Sequence, residues 1–527
     1  MSQRLSVGIA IAFAAVVVVL GGVYWSVASV GAPKQPNVLI LLWDTTRADR
    51  LSLYGNERQT TPRLDEFAKD AAVYERAISP GMWTVPVHAS LFTGHGLKTH
   101  GSNAKWIWLD NHYTTSAEWF GEAGYDTWAF SANPYLSAAS NLLQGFSTIE
   151  YSWQGDYATA AAKAVQDKLI ERDGSVEIGP SWEPDGMGKG SWPEHLTAYK
   201  DAGAVTRRAF TEWLDKREDG KPFFAYLNYL EAHHPRVPSM ASREAILEKE
   251  ELELGLATDF SLFKIMSFME DKHSYTDAEL DAAKGVYDAA IRDLDAVTGD
   301  LLDDLEARGI LDDTIVVIVS DHGDNLGEHG LYDHRWSVHQ TLIHVPLIIR
   351  YPHRVEAERI STPVSTQGLF GELCKLAEIP CPPGMMTIER GGPVFSELIQ
   401  PTPRLPFIKQ GFIDLDSYKW IDRYGVVVDG DDKLVWSKQK KHMRFDLAAD
   451  PGELNNLIDL RDERGKELMR SLLKWGKTQP KYDRGKRGHA DRPGAALRGN
   501  DASKQLQLLG YAEGDEELVE EEEEADK

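Results

Sequence analysis

Residues 37–44 read Asn-Val-Leu-Ile-Leu-Leu-Trp-Asp, and residues 314–322 read Thr-Ile-Val-Val-Ile-Val-Ser-Asp-His. Each is a continuous apolar run that stops at an acidic residue. An alternating pattern would mean a strand with one wet face. An unbroken run means a strand buried on both faces of a parallel sheet. Lys221–Leu230 and Val345–Arg350 predict two more such strands, and Thr127–Ser131 a shorter one. Helices are expected near Thr61–Lys69 and over Ser116–Ala123. A long one is expected over 276–308, where Leu280, Val286, Ile291, Leu294, Val297, Leu301 and Leu305 recur at helical intervals. Strands alternating with helices make an α/β protein, with a large, mostly parallel sheet flanked by helices. Shorter elements beyond about residue 365 predict a smaller C-terminal α+β subdomain.

The chain has 527 residues, with 57 Lys and Arg against 82 Asp and Glu, a formal charge of −25. Phosphate backbones need a basic face, so this balance argues against nucleic acid as a partner. A hydrophobic share of 42% supplies a core and excludes wholesale disorder. Two cysteines, Cys374 and Cys381, exclude a disulfide scaffold and a Cys-built zinc finger. One bridge between them and two free thiols both stay open.

No charge occurs between Arg4 and Lys34, a gap of 29 residues. A spanning helix needs ~20 apolar residues. Residues 1–33 therefore read as a transmembrane anchor. A removed signal is the alternative, since Val30-Gly31-Ala32 would serve as a cut site. The first places the rest as a membrane-anchored, extracytoplasmic domain, periplasmic or extracellular; the second makes it secreted. Residues 152–200 and 240–275 read as insertions, the expected seat of substrate choice, with Trp153, Trp182 and Trp192 available to stack on a sugar or ring. Residues 477–500 are polar and locally basic, and 512–527 form an acidic tail expected to be disordered.

In open α/β sheets functional groups gather beyond the carboxyl ends of strands. Asp44 and Asp321-His322 stand at such ends. Carboxylates and an imidazole make a mixed O/N donor set suited to Zn, Mn or Mg, less often Ca. Between them lies Gly81-Met-Trp-Thr-Val-Pro-Val-His-Ala-Ser-Leu-Phe-Thr-Gly94. Thr84 stands before a Pro and a helix-like stretch. It reads either as a helix cap or as a group beside an oxyanion seat at a helix start. Glu231-Ala-His233-His234-Pro235 follows an apolar strand, and Gly327-Glu-His-Gly330 precedes His334 and His339. Together these clusters point to a divalent-metal site, and the His-rich loops leave room for a second metal.

Four stretches in this order, NVLILLWDTTRADRLSLYG, WTVPVHASLFTG, YLEAHHP and TIVVIVSDHGDNLGEHG, resemble the sulfatase branch of the alkaline phosphatase superfamily. EAGYDTWAFSANPYLS, HVPLIIRYP, RFDLAADPGELNNLID and LQLLGY extend the likeness over about 36–511. The resemblance implies an alkaline-phosphatase-like fold, with a catalytic domain over 36–365 and a C-terminal subdomain over 366–511. It implies that Asp44, Asp321 and His322 bind one divalent metal that Thr84, at the nucleophile position, also touches. His233 falls where the family keeps a His that contacts the substrate or leaving group. His334 falls where many members keep a Lys that grips the transferred group. Thr45, His88, His234 and His339 are further candidates for substrate contact.

Standard sulfatases carry Cys-x-Pro-x-Arg, whose Cys becomes formylglycine; this chain has Thr84-Val-Pro86-Val-His88. Many sulfatases keep two acids after the first strand, but here Asp44 is followed by Thr45. A lone Asp there is similar to phosphonate monoester hydrolases. An unmodified Thr nucleophile is similar to nucleotide pyrophosphatases and phosphodiesterases, lipoteichoic acid synthases and phosphoethanolamine transferases. The expected activity is metal-dependent hydrolysis of a phosphate or sulfate ester on a small-molecule, glycan or lipid substrate. The alternatives are envelope phosphoryl transfer, a true sulfuric ester hydrolase and an inactive binding homologue.

Overall fold

The protein is described from a computed structural model, which covers residues 35–173, 200–399 and 422–482, apart from single positions 105, 201, 219, 259, 261 and 335. The apolar segment 1–33, residues 174–199 of the 152–200 insertion with Trp182 and Trp192, most of the 477–500 stretch and the acidic tail lie outside the described residues. Among the described residues no helix is long and apolar enough to cross a membrane.

Eight strands form the main sheet: β1 (Asn37–Trp43), β2 (Ala72–Tyr74), β3 (Asp126–Ser131), β4 (Thr148–Tyr151), β5 (Phe223–Tyr229), β6 (Thr314–Val319), β7 (Leu347–Arg350) and β8 (Glu358–Ile360). Their spatial order is β8-β2-β7-β6-β1-β5-β3-β4. β1 lies at the centre, parallel to β5 on one side and β6 on the other. β7 alone runs antiparallel to its neighbours β6 and β2.

The unbroken apolar runs are explained by burial on both faces. Val38, Ile40 and Leu42 of β1 join one apolar core, while Leu39, Leu41 and Trp43 join a second on the opposite face. β6 divides likewise, with Ile315, Val317 and Val319 on the first face and Val316 and Ile318 on the second. The first face is covered by α1 (Thr84–Thr93) and the helices Ser116–Glu122 and Leu369–Leu376. The second is covered by α2 (Gly203–Lys216) and α3 (Asp277–Ala307). Thr276 starts α3 with a reciprocal cap, its hydroxyl accepting the Glu279 N–H while the Glu279 carboxylate accepts the Thr276 N–H. Tyr287, Ile291, Leu294, Leu301 and Leu305 then form its buried stripe.

Val345–Arg350 is not one strand. Pro346 has no N–H to give a ladder, and the chain switches sheets there: His344–Val345 pairs with Ala77–Ile78, and β7 enters the main sheet. The 240–275 insertion folds as three helices, Met240–Ile246, Lys249–Ala257 and Leu262–Met269. Leu369, Phe370 and Leu373 are buried in the main core. The C-terminal sheet begins only at β9 (Val394–Leu398), followed by β10 (Tyr424–Asp429), β11 (Asp432–Ser437) and β12 (Met443–Asp446). This four-stranded antiparallel meander packs one face on the main core and the other on α4 (Glu463–Thr478) through Leu468 and Leu472. Cys374 and Cys381 are both free thiols.

Ile318 is wholly buried in the central sheet. Ile318→Ala should cost about 2–5 kcal/mol, read as a lowered urea midpoint with an unchanged slope.

Candidate active site

The parallel register pairs Leu42 of β1 with Val319 of β6, so the residues that follow the two strands emerge side by side. Asp44, Asp321 and His322 are all fully buried, and one ligand atom from each lies within 4.8 Å of the others. Each carboxylate has one oxygen secured and one bare. Asp44 Oδ2 accepts the Asn133 amide at 2.8 Å and the Asn228 amide at 3.3 Å, while Oδ1 has no partner. Asp321 Oδ1 accepts the backbone N–H groups of Thr45 at 3.2 Å and His322 at 2.9 Å, while Oδ2 has none. His322 Nδ1 donates to the Gly323 carbonyl at 2.9 Å, which leaves a lone pair on an unpartnered Nε2. That backbone bond selects the tautomer that can ligate.

Burial pushes both carboxyls up to about 7, and the Asp321 charge adds to the rise at Asp44. Burial pushes the His322 imidazole down to about 4. Two bare carboxylate oxygens and one bare imidazole nitrogen, buried within reach of one point, fit a divalent cation.

Thr84 is not the helix cap. Trp83 takes that position in extended conformation, and Thr84 is the first residue of α1. Its hydroxyl has no hydrogen-bond partner among the described residues. The Thr84 carbonyl accepts His88 Nδ1–H at 2.8 Å, and the same nitrogen lies 3.6 Å from Asp321 Oδ2. One His88 nitrogen thereby links the start of α1 to the Asp321 carboxylate. His88 Nε2 accepts the Tyr226 hydroxyl at 2.7 Å. Burial holds this ring neutral, its pKa pushed down to about 3. With both nitrogens engaged, His88 seats the start of α1 and offers nothing to a substrate. Thr45 is likewise internal: it takes φ 59°, costly for a β-branched residue, and its carbonyl accepts the Tyr287 hydroxyl at 2.7 Å.

His233 and His334 stand next to the metal set. The His334 ring lies 4.6 Å from that of His322 and 5.2 Å from that of His233. Asp333 Oδ1 lies 2.6 Å from His334 Nδ1. Asp324, Asp333 and His334 form a second group of close ligand atoms. Arg236 pairs with Asp324 there, so this group is a poorer host for a cation than the first. His234 turns away, its Nε2 3.1 Å from the Phe260 carbonyl. His339 joins neither group; its ring stacks on His329 at 3.7 Å and its Nδ1 faces Glu453.

No motif or periodicity marks Lys200. It is buried at the end of the insertion, its Nζ 3.3 Å from His233 Nδ1 and 3.2 Å from the carbonyls of His233 and His234. Burial pushes the ammonium down to about 7, and the Asp44 charge opposes that fall. Asn133 and Asn228 were missed too, although each is a polar residue at or near the carboxyl end of an apolar strand.

The sulfatase family model matches residues 36–379, and the model for the C-terminal region of N-sulphoglucosamine sulphohydrolase matches 327–477. An arylsulfatase of Clostridium perfringens is 24% identical over 484 residues, covering 84% of this chain and 94% of that one. An N-acetylglucosamine-6-O-sulfatase of Bacteroides thetaiotaomicron is 23% identical, covering 85% and 87%. The phosphonate monoester hydrolase of Agrobacterium radiobacter superposes with a TM-score of 0.60 at 19% identity, covering 85% of this chain and 96% of that one. The buried Asp–Asp–His set at the ends of β1 and β6 thus stands in an alkaline-phosphatase-like fold, and the chain belongs to the sulfatase family of ester hydrolases.

Proposed function

We propose that the chain hydrolyses a phosphate or sulfate ester, with Thr84 as nucleophile beside a divalent cation held by Asp44, Asp321 and His322. The observation that carries this reading is the convergence of three bare, buried ligand atoms, with Thr84, whose hydroxyl does not cap α1, joined to them by its carbonyl through His88. When bound, a divalent cation supplies positive charge that lowers the pKa of a hydroxyl touching it and offsets charge on the transferred group. The Thr84 hydroxyl gives up its proton to water, and its oxygen bonds to phosphorus or sulfur as the ester bond breaks and the leaving oxygen takes the bonding pair. His334 gives a proton to the leaving oxygen, since burial and the neighbouring Lys200 charge hold the His233 ring neutral. The Lys200 ammonium, bonded to the His233 ring and to the carbonyls of His233 and His234, sets that ring and adds positive charge beside it. Water then bonds to phosphorus or sulfur, the bond from that atom to the Thr84 oxygen breaks, and the Thr84 oxygen takes one proton from the attacking water.

Names of relatives favour a sulfate ester of an aryl or amino-sugar compound. The nucleophile favours phosphate, because a phosphorylated Thr is released by attack at phosphorus, a route that metals assist well. The charge-free segment before residue 34 supports an anchored, extracytoplasmic placement.

The deciding assay compares nitrophenyl phosphate, bis-nitrophenyl phosphate, phenylphosphonate and nitrophenyl sulfate. Thr84→Ala and Asp321→Ala should each lower kcat by ~10³-fold or more. Full activity in Thr84→Ala would overturn the nucleophile, and turnover of sulfate alone would overturn the preference for phosphate. Lys200→Met should lower kcat/KM about 100-fold, with the melting temperature kept.

Metal should also stabilise the protein in a pH-dependent way. Raised folded pKa values near 7 mean that Asp44 and Asp321 remove stability from the metal-free protein as pH rises from about 4 to 7. The rise in melting temperature on adding Mn²⁺ should therefore be larger at pH 8 than at pH 5.5. Equal rises at both pH values would contradict this.

A further inference from the structure

A buried ion pair ties the C-terminal sheet to the metal set. Lys433 on β11 is wholly buried, its Nζ 2.6 Å from Glu453 Oε1 and donating to the Val338 carbonyl at 2.6 Å. Glu453, in the turn after β12, is buried as well. Its Oε2 accepts the Gln340 N–H at 2.6 Å and lies 3.2 Å from His339 Nδ1. Gln340 opens the single-turn helix Gln340–Ile343.

The far end of that helix grips the residues that carry the ligands. The Leu342 carbonyl accepts the Gly323 N–H at 2.8 Å, and the Gly323 carbonyl accepts His322 Nδ1–H at 2.9 Å. The Ile343 carbonyl accepts the Ser79 N–H at 2.8 Å, and the Ser79 hydroxyl donates to the Asp321 carbonyl at 2.5 Å. There is no slack between the two segments. A Cβ at Gly323 would stand 2.0 Å from the Thr341 carbonyl oxygen, so only glycine permits this approach.

We infer that Glu453 and Lys433 are positioning residues for the metal set: they seat the helix Gln340–Ile343, and through its last two carbonyls they aim His322 and Asp321. The inference rests on the reading that Asp44, Asp321 and His322 hold a divalent cation. The neighbouring His329–His339–Glu453 group is not itself the cation site, because Lys433 already answers its single carboxylate charge. Residues that orient metal ligands change affinity by about 10–100-fold when removed.

The test uses the full chain, stripped with a chelator and titrated with Co²⁺ by calorimetry and by visible absorption. Glu453→Gln is expected to weaken Co²⁺ binding about tenfold or more and to shift the visible bands, which report ligand geometry directly. Lys433→Met/Glu453→Gln removes both charges together. It serves where a lone buried charge prevents folding, and is expected to weaken binding in the same way. Folded variants with a wild-type isotherm and spectrum, whatever their melting temperature, would overturn the inference and leave the pair a purely structural one. Wild-type protein that takes up no Co²⁺ would instead overturn the metal reading beneath it.

Discussion

Two carboxylates stand buried side by side with no cationic side chain among the described residues on either bare oxygen, and the surrounding architecture answers to that fact. Removing an ion from water costs several kcal/mol when nothing compensates it. The fold secures one oxygen of each carboxylate with amide or backbone N–H groups and leaves the other open. Burial then pushes both acids toward neutral pH. A core of this kind stores a repulsion that a divalent cation removes. The central sheet is the structure stiff enough to hold it. β1 is hydrogen-bonded on both sides and packed on both faces, so its end cannot draw Asp44 away from Asp321.

Rigidity at the strand ends fixes only where the chain leaves the sheet. Aiming the side chains falls to the loops, and these are held by one another. Thr45 accepts a strained backbone angle to give its N–H to Asp321. Tyr287, on the long helix across the second face, holds the Thr45 carbonyl and accepts the Arg47 N–H. His88 reaches from α1 back toward Asp321. Elements from both faces of the sheet therefore converge on one group of ligand atoms, and the C-terminal meander adds its hold from the side.

Much of this was legible in the sequence. Unbroken apolar runs ending in acid marked β1 and β6, because full burial on two faces leaves no room for alternation and the polar function begins where the strand stops. The long helix was legible through its apolar spacing, a local signal. What stayed hidden depends on long-range contact. Lys200 sits at the edge of an insertion without periodicity, and only the fold brings it to His233. Glu453 and Lys433 are twenty residues apart in a region of short elements, where a Lys and a Glu normally read as surface. His88 and His339 look as exposed in sequence as His334 does, yet hydrogen bonds or stacking occupy them. Pro346 was visible, and its missing N–H explains why one apolar run serves two sheets.

The position of Thr84, the proposed nucleophile, bears most directly on what the site can do. A Thr at the cap would spend its hydroxyl on the helix's own N–H groups. With Trp83 capping the helix and Thr84 one place further in, the hydroxyl is spared that duty. Its β-branch limits the side chain to few rotamers, so little entropy is lost in holding the oxygen ready. The same branch carries no second oxygen. A formylglycine hydrate can shed its sulfate by breaking its own C–O bond, whereas an esterified Thr is freed only by attack at phosphorus or sulfur. On the proposed reading the Thr oxygen is attacker in the first half and leaving group in the second. Both halves need positive charge at the same spot, so the site must keep its ligand atoms aimed throughout the cycle. Bonds from both faces of the sheet and from the C-terminal meander supply that constancy.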